Sequence, residues 1–271
     1  MSAGRPSVLV VMPTLGERPD TLTDAMRSAL DQEGVDVRLV LVVPTGASDA
    51  RESARELGVD VIDDPRRGLT AAVNAGIAAR LDEDYYAWLN DDDLLMPGAL
   101  THLAGLLGAD PAAVVAFGAC DYIDPQGRSI AVSRAGDWAT RVLGWGPNLV
   151  PAPSSLVRLN ALDAVGSYDE SLKYAMDLDI FLRLRRRGRF VSTPRITSCF
   201  RWHPDSITVS NRRASGAESE AIKHRYLRPW VRPLAPLWDV PVRIASRSAA
   251  KRLNARAQAL TVQSPTPKEP T

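Results

Sequence analysis

Residues 8–12 (VLVVM) form an unbroken apolar run that stops at Pro13, the pattern of a strand buried on both faces. Over residues 21–30 the apolar positions fall at Leu22, Ala25, Met26, Ala29 and Leu30, which predicts a helix with one buried stripe. A second buried strand is predicted over 37–43, closed by Pro44, Thr45 and Gly46. A helix over 49–57 and a short strand over 59–62 follow. Leu69, Val73, Ile77 and Leu81 share one helical face, predicting a helix over 69–81, and residues 85–89 read as a fourth strand. Strands alternating with helices specify a parallel sheet covered by helices.

The second half has a different rhythm. Residues 114–118 predict a buried strand, and Asp124, Pro125, Gln126 and Gly127 have the composition of a turn between antiparallel strands. Residues 149–159 read as a strand, 177–187 as a helix, and 190–193 and 196–202 as two short strands. An α/β half is thus joined to an α+β half in one continuous domain. The sequence has no internal repeat.

On a parallel sheet, ligands gather beyond the carboxyl ends of the strands. Here that edge comprises loops 13–18, 44–49, 63–68 and 90–95, the last of which carries Asn90, Asp91, Asp92 and Asp93. Adjacent carboxylates repel and raise one another's pKa unless a cation sits among them. A hard ion such as Mg²⁺ or Mn²⁺ takes one or two protein carboxylates and leaves room for substrate phosphate oxygens. Capping the helix that starts near Pro97 would need one aspartate, not three.

Composition then narrows the partners. A formal net charge of +1 gives no reason to expect nucleic acid. Cys120 and Cys199 amount to neither a disulfide framework nor a zinc site. No secretory leader is visible, and no stretch approaches the roughly 20 apolar residues that span a bilayer. The expected location is the cytoplasm, or the inner face of the membrane as a peripheral protein. The charge is uneven, because between Lys223 and Leu260 nine Lys or Arg stand against one acid, Asp239.

The segment WLNDDDLLMPGAL at 88–100 resembles the acidic DxD segment of the family 2 glycosyltransferases, which have the GT-A fold. Residues 8–30 (VLVVMPTLGERPDTLTDAMRSAL) resemble that family's first strand, loop and helix, and 68–76 (GLTAAVNAG) its third helix. GSYDE at 166–170 followed by YAMDLDIFLRL at 174–184 resembles its acceptor-side segment. The likeness runs from about residue 8 to 210 with its motifs in the family's order.

The resemblance implies an α/β, GT-A-type nucleotide-diphospho-sugar transferase fold, with a mostly parallel central sheet flanked by helices. A smaller antiparallel acceptor-side part and a C-terminal helical tail complete it. The domain would cover 1–210, divided into a nucleotide-sugar half (1–110) and an acceptor half (111–210). A basic helical extension would follow over 211–262, then a disordered tail over 263–271. The implied reaction is inverting transfer of a sugar from a nucleotide-diphosphate donor to an acceptor hydroxyl on a glycan, glycolipid or small molecule, assisted by Mn²⁺ or Mg²⁺. A homo-oligomer is compatible with it.

By position, Asp93 is implied as metal ligand and Asp91 and Asp92 as donor-binding, although the assignment can slip by one within the triplet. Asp177 falls where the family keeps its catalytic base, with Asp179 as rival; both also suit a helix N-terminus. The family's Glu before the base is replaced here by Met176. His203 resembles a late residue that reaches metal or diphosphate, a role Arg201 can also fill. Pro13, Thr14, Glu17, Thr45 and Asn74 are expected at the donor, with Arg66 and Arg67 as phosphate contacts or plain solvated cations. Thr45 stands where the family often has an acid contacting a uracil-type base, and Leu15 and Gly16 where it often has an aromatic residue and Asn. Both departures leave room for a dTDP- or GDP-linked donor besides UDP.

Trp230, Trp238 and the basic positions of the tail suit a helix lying on anionic lipid. The other reading is a helix packed on the domain by its apolar face, with its basic side solvated. Two further functions compete. A sugar-phosphate nucleotidyltransferase needs a Gly-rich basic loop after the first strand, where this chain has one glycine, Gly16. A non-catalytic GT-A-like binding protein is kept open by Met176. No GxGxxG follows the first strand, which removes a dinucleotide-dependent dehydrogenase.

Overall fold

The computed structural model describes residues 4–202 and 211–262. Its centre is one nine-stranded sheet. β1 (Ser7–Pro13), β2 (Asp36–Val43), β3 (Asp60–Asp63) and β4 (Tyr85–Trp88) are parallel and lie in the order β3-β2-β1-β4. Beyond β4 the direction reverses. β8 (Ser155–Arg158) runs antiparallel between β4 and β6 (Ala113–Ile123), and β9 (Arg189–Arg201) lies parallel to β6. β5 (Leu94–Leu95) pairs antiparallel with β9, and β7 (Ser129–Ser133) with β6.

Strand period sorts the core. On β1, Val8, Val10 and Met12 face one side and Leu9 and Val11 the other, all fully buried. The first side is covered by α1 (Pro19–Leu30), α2 (Ser48–Glu56) and α4 (Ala99–Ala109). The second is covered by α3 (Leu69–Ala78), α5 (Asp137–Val142), α6 (Leu159–Val165) and α7 (Met176–Leu184). α3 sits so close on β1 that a Cβ at Gly76 would lie 2.3 Å from Val11 Cγ1. α8 (Arg212–Tyr226) packs on α7, and α9 (Pro236–Val262) reaches β7.

Several sequence expectations change. The helix expected over 69–81 ends at Ala78, because Arg38 Nη1 donates to the Ala79 carbonyl at 2.7 Å and leaves Leu81 exposed. Within 149–159 only Ser155–Arg158 is strand, since Pro151 and Pro153 hold the preceding residues in a 3₁₀ turn. The strand expected over 114–118 runs on to Ile123, and the helix expected to reach 187 stops at Leu184. The two strands expected around Pro194 are one, Arg189–Arg201. Phe117 pairs with Ser192 and Ala119 with Ile196, so a bulge on β9 absorbs the proline. Gly118 is required there, because its Cβ would meet Thr197 Oγ1 at 2.3 Å.

Candidate active site

β1, β2, β3 and β4 all point their carboxyl ends to one edge, so the loops after them converge. A cleft of about 1290 Å³ opens there. Its walls include Pro13, Thr14 and Glu17 after β1, Arg66 and Gly68 after β3, and Asp91 and Asp92 after β4. Asp177, from the second half of the chain, lines the same cleft. A smaller recess of about 370 Å³ shares Leu15, Glu17 and Arg66 with the cleft and extends to Pro44, Ser48 and Asp49.

The three aspartates divide by direction. Asp93 is fully buried; its Oδ1 accepts the Arg201 N–H at 2.9 Å and its Oδ2 the Asn90 amide at 2.8 Å. Burial raises its pKa well above the carboxylate range, with the Asp92 charge adding to the rise. Asp93, the residue implied as metal ligand, does not line the cleft: its Oδ1 ties the acidic loop to β9 through the Arg201 N–H, and its Oδ2 is held within the loop by the Asn90 amide. Asp91 and Asp92 do line it. Asp91 accepts the Thr14 hydroxyl at 2.5 Å, and its pKa is raised by burial against that bond.

Arg18, which sequence reasoning did not single out, places its guanidinium on Asp92 and 3.7 Å from Asp91 Oδ1. The chain thus supplies one cation of its own to these two carboxylates. Among the described residues no group of three or more His, Cys, Asp or Glu side chains converges as a ligand set. A pair of carboxylates is nevertheless the usual protein share for an ion that also takes phosphate oxygens and water.

Asp177 lies in the first turn of α7, directly after Met176. Its Oδ1 accepts its neighbour's N–H at Leu178, and its Oδ2 accepts the Asn148 amide at 2.8 Å. Burial nevertheless pushes its pKa to about 6. Glu218, from α8, accepts the N–H groups of Tyr174 and Ala175 at 2.8 Å and of Lys173 at 3.1 Å, and its charge adds to that rise. A carboxylate absent from position 176 is therefore present at the same helix terminus, delivered from a distant segment. The rival Asp179 is turned away: it is buried between the Arg183 guanidinium and the Tyr226 hydroxyl, both at 2.8 Å.

Other expected residues are placed elsewhere. Thr45 is exposed and lines neither cavity. Asn74 spends its amide on the backbone of Tyr168, donating at 2.9 Å and accepting at 3.0 Å, which straps α3 to the 166–170 segment. Arg201 touches the cleft, but its guanidinium donates to the carbonyls of Asp92, Asp124 and Pro125, so it braces the acidic loop. Arg67 pairs with Glu170 at 2.8 Å, whereas Arg66 faces both cavities from a left-handed backbone, φ +56°. His203 lies outside the described residues. Tyr122, Phe200 and Trp202 form an edge-to-face trio in the cleft wall, centroids 5.7–6.4 Å apart, which the sequence did not reveal.

Residues 9–151 match the family described as glycosyl transferase family 2. The chain belongs to that family. It is 26% identical over 192 residues to an uncharacterized glycosyltransferase of Rickettsia typhi, a match covering 67% of this chain and 59% of that one. The matches to relatives in Rickettsia felis and Rickettsia conorii span 36% and 33% of those proteins, so the chain is well short of their length. The succinoglycan biosynthesis protein ExoA of Rhizobium meliloti is 24% identical over 87% of this chain and 76% of its own.

Solved structures show the same fold. The mannosyltransferase PcManGT from Pyrobaculum calidifontis, in complex with GDP-Man and Mn²⁺, superposes with a TM-score of 0.66. It is 17% identical, and the match covers 98% of this chain and 78% of that one. S. aureus TarS 1–349 in complex with UDP-GlcNAc gives 0.62 at 14% identity, covering 84% and 70%. Both are GT-A glycosyltransferases, so the fold expected from the sequence is the one observed.

Proposed function

We propose that this chain transfers a sugar from a nucleotide diphosphate to an acceptor hydroxyl with inversion, with Asp177 as general base and a divalent ion at Asp91 and Asp92. The observation that carries this reading is one cleft lined both by two adjacent carboxylates after β4 and by a separate carboxylate at the start of α7 whose pKa is raised to about 6. A base near pH 6 is ionised at neutral pH yet still accepts a proton readily.

The protein side of the chemistry divides accordingly. Asp177, held by Asn148, takes the acceptor proton as the hydroxyl oxygen attacks the anomeric carbon from the face opposite the departing diphosphate. Asp92 and Asp91 would hold Mn²⁺ or Mg²⁺, whose contribution when bound is to neutralise diphosphate charge. The two carboxylates fit it, since they line the cleft side by side and already share a cationic partner, the Arg18 guanidinium. Arg66 and the uncapped N-terminus of α3 at Gly68 offer the phosphates further positive charge. Pro13, Thr14 and Glu17 border the donor, and Asp49 in the smaller recess takes the base-contacting place vacated at Thr45. GDP-Man and UDP-GlcNAc, bound by the two structural neighbours, are the first donors to try.

The test is incubation with UDP-, dTDP- and GDP-sugars plus Mn²⁺, following nucleoside diphosphate release by NMR. Release that disappears in Asp177→Asn and Asp92→Asn supports the reading. Pyrophosphate release from an NTP and a sugar 1-phosphate would replace it with nucleotidyl transfer.

A further inference from the structure

The C-terminal helix leaves one apolar stripe uncovered. In α9, Leu237, Val240 and Ile244 are spaced three and four residues apart and form one stripe, yet they are 72%, 47% and 59% exposed. Leu234 and Trp230, just upstream, are exposed as well, at 49% and 69%. The side turned to the domain carries Ala235, Trp238, Val242, Leu253 and Leu260, buried or half-buried, together with polar contacts. Asp239 is buried against His224 Nε2 at 2.7 Å, Arg243 forks onto Glu220, and Asn254 accepts the Trp202 indole N–H at 2.8 Å. A helix already seated by another side normally leaves polar residues to the water, so a second apolar stripe left open calls for a partner. α9 thus seats on the domain by a mixed side, with Glu220 and His224 of α8 as polar partners and its Arg and Lys side chains exposed.

The charge around the stripe has one sign. Arg228 and Arg232 precede it, Lys251 and Arg252 follow in α9 as exposed side chains, and residues 240–262 contain no acid at all. Such a face cannot complement itself, because in a pair of copies its cations would meet cations. No helix among the described residues is long and apolar enough to cross a membrane, which leaves attachment in the plane of the surface. We propose that this face docks on an anionic lipid bilayer, with Trp230, Leu234, Leu237, Val240 and Ile244 inserted among the headgroups and acyl chains and the flanking cations on lipid phosphates. The docking is independent of the donor chemistry, since none of these side chains lines the cleft.

Flotation of the full chain with vesicles tests this. The protein should float with equimolar phosphatidylcholine and phosphatidylglycerol and stay behind with phosphatidylcholine alone. The double variants Leu237→Glu/Ile244→Glu and Lys251→Glu/Arg252→Glu should each lower the bound fraction about tenfold or more. Their circular dichroism, thermal midpoint and nucleotide-induced stabilisation should match the parent chain, because every replaced side chain is exposed. Equal flotation of parent and variants, no flotation with anionic vesicles, or equal flotation with neutral ones would overturn the proposal. So would a dimer in sedimentation that Leu237→Glu/Ile244→Glu converts to monomer, which would show a second copy covering the face.

Discussion

Glu218 accepts the Ala175 N–H at 2.8 Å, two residues before the cleft carboxylate Asp177. It takes the neighbouring N–H groups of Lys173 and Tyr174 too, so one side chain of α8 fixes the approach to α7. Glu218→Ala should cost about 2 kcal/mol in urea unfolding, a half-buried charged acceptor being worth less than a buried one. Turnover should fall while donor KM changes little, because Glu218 touches Asp177's helix and not the donor loops. In Glu218→Gln the acidic limb of the rate profile should move to lower pH, since a charge that raises the Asp177 pKa is removed.

Asp177 sets that limb. With its pKa near 6, kcat/KM should fall with unit slope below about pH 6 and level off above it. Asp177→Asn should reduce kcat by about 10²–10⁴-fold and abolish the limb. The stability effect has the opposite sign. A carboxyl pKa raised by folding means that the folded chain holds the proton more tightly, so stability is lost as pH rises from about 4 through 6. At pH 7–8 the Asn variant should therefore be as stable as the parent or more so, by about 1–2 kcal/mol in denaturant titration.

Arg66 combines a left-handed backbone with a cleft-facing cation. A non-glycine residue there costs on the order of 1 kcal/mol, a strain found mostly at ligand sites. Arg66→Gly should melt at or above the parent temperature and Arg66→Ala below the Gly variant. Both should raise donor KM by about tenfold or more, the loss expected for one charge-assisted contact to phosphate. Equal donor KM in all three chains would remove Arg66 from the donor site.

What the sequence made legible was what is local. The apolar run of β1, the acidic triplet after β4 and an aspartate at the start of α7 each carry their own signal, and the sheet edge brings them together. Direction within the triplet was not legible, because Asp93 points inward only where β5 pairs with β9 and brings the Arg201 N–H beside it. Arg18, Asn148 and Glu218 are single polar residues in unremarkable surroundings, and their partners lie 29 to 74 positions away. The seating of α9 depends on what α8 and the end of β9 present to it. Its sequence offers more than one apolar stripe, and periodicity alone does not say which is covered.

The central claim is a cation at Asp91 and Asp92 gripping a nucleotide diphosphate. Its most direct test is the thermal midpoint with UDP, dTDP or GDP, each in Mn²⁺ and in EDTA, for the parent chain, Asp92→Asn and Asp177→Asn. At about a hundredfold excess over Kd, one nucleotide should raise the midpoint by about 5–10 °C in Mn²⁺ only, in the parent and Asp177→Asn but not in Asp92→Asn. No response to any of the three, or one indifferent to both metal and Asp92, would contradict it.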